Sequence, residues 1–114
     1  MLTIHNWEEY TYFLLLHLKN GEKEQFRTEF LALDANSQVD FYYMLNKQQQ
    51  KQFFQTIYPD EFSVIFTKLN EDEQSSVMEI MKYNYLLKVM QHLPKEMVTS
   101  YYPRFVNCKK ILDE

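Results

Sequence analysis

A chain of 114 residues is the size of one domain, and 46% hydrophobic content is too high for a disordered segment. It holds one glycine where average usage of about 7% gives roughly eight, which excludes glycine-built phosphate cradles; with three prolines the turn chemistry of an all-β fold is also missing. The net charge is −4 and the 12 basic residues are scattered, so no positive footprint exists for nucleic acid.

The longest apolar run, Tyr12 to Leu16, is far short of the ~20 residues that cross a bilayer. Glu8 and Glu9 stand where a signal peptide carries positive charge. Cys108 is alone, which excludes an intrachain disulfide and a cysteine zinc site, and no metal is needed for folding. The expectation is a cytoplasmic protein without direct membrane insertion.

In chain order, the predicted elements are helices near 7–19, 22–33, 36–45, 47–57, 60–69, 71–81, 84–93 and 95–102, with a short one after Pro103. Asn20-Gly21 closes the first helix. From there a twelve-residue repeat sets the elements. One series runs Leu45, Ile57, Leu69, Met81, Leu93, Phe105; four positions earlier it is Phe41, Phe53, Ile65, Val77, Val89, Tyr101. Three positions earlier it is Tyr42, Phe54, Phe66, Met78, Met90, Tyr102. All are apolar or aromatic, a run with a chance of roughly one in a million at a 46% background. Phe30 and Leu33 keep the beat upstream while Glu29 breaks it, which marks an atypical first repeat.

Spacings of i, i+1 and i+4 put each triplet on one helical face. In one continuous helix that face would swing by about 120° per twelve residues, so the helix must break after each anchor. Asp34, Asn46 and Asn70 follow anchors directly and are favoured N-caps, the latter two opening capping-box sequences. Pro59 and Pro94 stand where a missing N–H costs nothing. Such short helices are marginal alone and need stacking. Successive helices are expected to pair as hairpins in a single domain over 1–114. The predicted fold class is all-α, a right-handed superhelix or bundle of short helices.

Chemistry is sparse. His5, His17 and His92 share no metal-binding spacing, and the serines lack a strand–turn–helix elbow, so an enzyme is not expected. Asp60-Glu61 and Asp72-Glu73 sit in first turns, where negative charge complements the helix dipole; Glu96 after Pro94 belongs to the same set. The competing reading is a hard-cation site, because Mg²⁺ takes one or two carboxylates and keeps several waters. Tyr101 and Tyr102, in the last uncovered repeat, are candidates for partner contact or a homodimer.

The run Pro59-Asp-Glu-Phe-Ser-Val-Ile-Phe-Thr-Lys-Leu-Asn-Glu-Asp-Glu-Gln-Ser-Ser-Val-Met78 resembles the N-terminal cytosolic domain of MgtE magnesium transporters, as does Leu14 to Phe26 with its Asn-Gly turn. The resemblance covers about residues 10–105. It implies a regulatory superhelix that packs on CBS domains ahead of a membrane domain, with Mg²⁺ at the domain interface favouring the closed pore. The family's acidic pair one turn apart matches Glu96 and Ser100, so one carboxylate of the pair remains. The runner-up is a stand-alone FliG-like helical-repeat module that binds a protein partner.

Overall fold

The computed structural model describes residues 6–100 and Pro103. Among the described residues there are seven α-helices: α1 (Trp7–Lys19), α2 (Lys23–Leu31), α3 (Ala35–Tyr43), α4 (Lys47–Thr56), α5 (Pro59–Phe66), α6 (Glu71–Ile80) and α7 (Tyr83–Gln91). Residues 95–100 are also helical, and no described residue is in a strand. The predicted helix after Pro103, and the end of the one before it, lie outside the described residues.

The starts are chemical. The side-chain oxygens of Asn6, Asp34, Asn46 and Asn70 accept from the backbone N–H of Glu9 (3.0 Å), Ser37, Gln49 and Glu73 (2.8 Å each). At Asn46 the box closes, because Gln49 Oε1 accepts from the Asn46 N–H at 2.9 Å. Glu61 does the same for the Tyr58 N–H at 2.9 Å, just before Pro59 opens α5. The stop of α1 is a Schellman turn: Gly21, at φ 72°, donates to the Leu18 carbonyl (3.3 Å), and Glu22 donates to that of His17 (2.9 Å).

The ends differ from the prediction. The repeat anchors Leu33, Leu45, Ile57, Leu69, Met81 and Leu93 do not close the helices; each sits in the turn just beyond, and each is buried. The reason is hydrogen bonding at the terminus. Leu33, Leu45, Leu69 and Leu93 donate three residues back, to Phe30 (3.1 Å), Tyr42 (3.1 Å), Phe66 (3.2 Å) and Met90 (3.2 Å), which tightens the last turn out of α geometry. Ile57 and Met81 keep a bond four residues back at 2.9 Å but are extended, with ψ of 135° and 143°. One further residue, Tyr58 or Lys82, then leads into the next helix.

The longer turns share a device. Gln38 and Gln50 donate their side-chain amides to the Leu33 (3.0 Å) and Leu45 (3.3 Å) carbonyls, and Gln74 donates to that of Phe66 (3.0 Å). The Gln38 and Gln50 amides serve turn carbonyls and Gln74 joins the Leu69 N–H on the Phe66 carbonyl, so Gln38 and Gln74 can be buried without the usual penalty. After the short turns, Phe62 and Leu86 take the corresponding place and are fully buried.

The chain divides into two compact units, Met1–Ile57 and Tyr58–Glu114. In the first, α1 packs on α2 and α4, and α2 also meets α4. Its centre is aromatic: Phe26 stacks on Phe30 at 5.4 Å between ring centroids, and Phe53 meets Phe30 edge-on at 5.3 Å. In the second unit the main flank contact is α5 with α7. The hairpin expectation therefore fits α1 and α2, whereas α5 lies chiefly on the next helix but one. Helices of eight to ten residues are only ~12–15 Å long, so a short connection holds neighbours mainly at their ends. Throughout, the described members of the three apolar series are buried except Phe54, which is half-buried.

Candidate functional site

The carboxylates singled out by sequence occupy helix starts. Asp60 and Glu61 are in the first turn of α5, and Asp72 and Glu73 in that of α6. Glu96 is near the start of the helical residues 95–100. Asp60, Asp72 and Glu96 are exposed; Glu61 and Glu73 are half-buried. The positive end of the helix dipole stabilises all of these positions, and Glu61 additionally holds the Tyr58 N–H. Among the described residues no three His, Cys, Asp or Glu side chains converge on a common point that could hold a metal. Of the five, Asp60, Asp72 and Glu96 are the carboxylates presented to solvent.

The predicted contact residues Tyr101 and Tyr102 lie outside the described residues, as do His5 and Cys108. Tyr42 and Phe53 are core residues, while Tyr43 remains 45% exposed. Ser63 is buried, and its hydroxyl donates to the Asp60 carbonyl at 2.7 Å, a helix-internal bond that leaves it no proton acceptor suited to nucleophilic work.

One polar cluster is not evident in sequence. His17, near the end of α1, faces Glu22 Oε1 with Nδ1 at 2.8 Å and Glu29 Oε1 with Nε2 at 3.4 Å. Gln25 donates to the other Glu29 oxygen. The Tyr10 hydroxyl donates to the Glu29 carbonyl at 2.5 Å. Burial, and secondly the Glu29 carboxylate, hold the Tyr10 phenol above its ordinary pKa. The signal was Glu29 itself, the residue that breaks the apolar beat: its place in the first repeat faces α1 instead of the core. The cluster ties α1 to α2 across the Schellman turn. The two carboxylates meet opposite nitrogens of one ring, so they brace His17 and form no chelate.

These features define a module of stacked short helices with acidic helix starts and no assembled catalytic group among the described residues. The chain matches the MgtE intracellular N domain family over residues 28–104, and it belongs to that family. It is also similar to a solved structure of the soluble part of a magnesium transporter, with a TM-score of 0.59 and 21% identity over 90% of this chain. That likeness is one of fold, and this chain spans 44% of that protein's length. No curated protein matches the sequence. No helix among the described residues is long and apolar enough to cross a membrane.

Proposed function

We propose that this chain is the cytosolic regulatory module of a magnesium transporter, catalytically inert, acting by packing on CBS domains that connect it to a membrane domain. Membership of the MgtE intracellular N domain family carries this reading. The exposed Asp60, Asp72 and Glu96 support it, because outward carboxylates at helix starts repel another acidic surface until a divalent cation screens them. Mg²⁺ prefers to keep its waters, so one or two carboxylates from each side suffice at a shared interface. The ion regulates only through unequal affinity for the docked and undocked arrangements. Moving such an equilibrium from 1:99 to 99:1 requires about 10⁴-fold preference, which calls for several ions or several carboxylates acting together.

The test is Mg²⁺ flux through the transporter carrying this chain, at low and high internal Mg²⁺. With Asp60→Asn, Asp72→Asn and Glu96→Gln combined, inhibition by internal Mg²⁺ should need a higher ion concentration while the flux at low Mg²⁺ stays the same. An unchanged inhibition curve would remove these carboxylates from the mechanism.

A further inference from the structure

His17 joins α1 to α2 through both of its ring nitrogens. Nδ1 stands 2.8 Å from Glu22 Oε1 and Nε2 3.4 Å from Glu29 Oε1. The His17 and Glu29 side chains are 18% and 28% exposed, so water cannot freely replace the partner of either. A carboxylate only accepts, whereas a neutral imidazole has one N–H and one lone pair. The neutral ring therefore serves one of the two carboxylates and turns its lone pair toward the other. Only the imidazolium, with two N–H groups, donates to both.

The surroundings favour that cation. His17 lies in the last turn of α1, at the negative end of the helix dipole. Glu22 is the N-cap of α2 but makes no side-chain cap bond, and its carboxylate meets the ring instead. Gln25 donates to the second Glu29 oxygen and holds that carboxylate in place. The remaining ionisable neighbour, Tyr10, donates its hydroxyl to the Glu29 backbone carbonyl and brings no charge at neutral pH. The cavity beside the ring is otherwise lined by Phe13, Thr28 and Ala32, so among the described residues it holds no lysine or arginine and nothing from α4.

We propose that His17, Glu22 and Glu29 form a proton-operated clasp between α1 and α2. With the proton, the ring ties both carboxylates; without it, the shorter Glu22 contact keeps the one N–H and Glu29 is released. The Schellman turn joins the backbone in either state, so the clasp sets how firmly the two helices are held. Its added stability is complete below about 6.5, the imidazole value in an open chain, and is lost as rising pH removes the proton.

Urea unfolding of the 114-residue chain at pH 5.5 and 8.5, beside His17→Gln and Glu22→Gln, tests this. Each change should raise the unfolding equilibrium constant about three- to tenfold more at pH 5.5 than at pH 8.5. Glu22→Gln leaves the ring in place and keeps an accepting oxygen at an exposed position, so it reads the clasp even if His17→Gln disturbs packing. With Glu22→Gln and Glu29→Gln combined, replacing His17 should cost no more at pH 5.5 than at pH 8.5. A ring with a structural role alone would cost the same at both pH values, and such equal losses overturn the proposal. So does a cost of His17→Gln specific to pH 5.5 that survives both glutamine changes.

Discussion

The two compact units meet the same apolar pattern with different chemistry. The first fills it with rings: Phe26, Phe30, Phe41, Tyr42 and Phe53 are all fully buried. The second uses Phe62 and Phe66 with Ile65, Val77, Met78, Leu86 and Val89. Rings interlock in a few edge-on or stacked arrangements, whereas methionine and aliphatic chains adjust to gaps. The repeat therefore specifies where apolar volume goes and leaves its shape to each unit. The exposed carboxylates Asp60, Asp72 and Glu96 belong to the second unit, and the exposed rings of Tyr12 and Phe13 to the first.

The largest effect expected is from Phe53→Ala, at about 3–5 kcal/mol, because Phe53 touches Phe26, Phe30 and Tyr42 and their rings cannot close the void. Urea unfolding measures this. Met78→Leu in the second unit keeps volume in a flexible setting and should cost less than ~1.5 kcal/mol. A Met78→Leu loss as large as that of Phe53→Ala would end the contrast between rigid and adaptable cores.

Next comes Gln38→Ala, which strips the Leu33 carbonyl of its buried side-chain donor and should cost about 1–3 kcal/mol. Gln74→Ala in the second unit should cost less, about 0.5–1.5 kcal/mol, because the Phe66 carbonyl keeps the Leu69 N–H. Asn46→Ala removes one cap and should cost about 1 kcal/mol by the same measurement.

The smallest effect is a pH dependence confined to the first unit. Burial and Glu29 raise the Tyr10 phenol, so its neutral form is favoured in the fold. That stabilisation is complete below the ordinary phenol value of about 10 and fades as pH rises through the higher folded value. Melting curves between pH 8 and 11.5 should fall at the alkaline end, and Tyr10→Phe should flatten that fall.

Much of this was legible in one sequence. Asp34, Asn46, Asn70, Pro59 and Gly21 announce helix boundaries by local chemistry, and local chemistry is what a sequence displays. The anchors sit just past the helix ends that the repeat predicts, because whether Leu45 or Leu69 ends a helix or sits in the turn depends on a bond to the third or the fourth carbonyl back. The glutamines are silent in sequence for a related reason: Gln38 and Gln74 look like surface residues until the carbonyls of the preceding helix are placed beside them. The His17–Glu22–Glu29 cluster needed tertiary packing, since residues 17 and 29 are brought together only by the α1–α2 turn. The carboxylates were found as residues, but first-turn acids serve dipoles as readily as ions.

The measurement closest to the central claim is limited proteolysis of this chain joined to the CBS and membrane segments proposed for its transporter, with and without millimolar Mg²⁺. The account predicts that added Mg²⁺ slows cleavage within residues 58–100 when those segments are present and leaves the digestion of the 114-residue chain alone unchanged. Identical fragments at identical rates with and without the ion, in the joined protein, would contradict it.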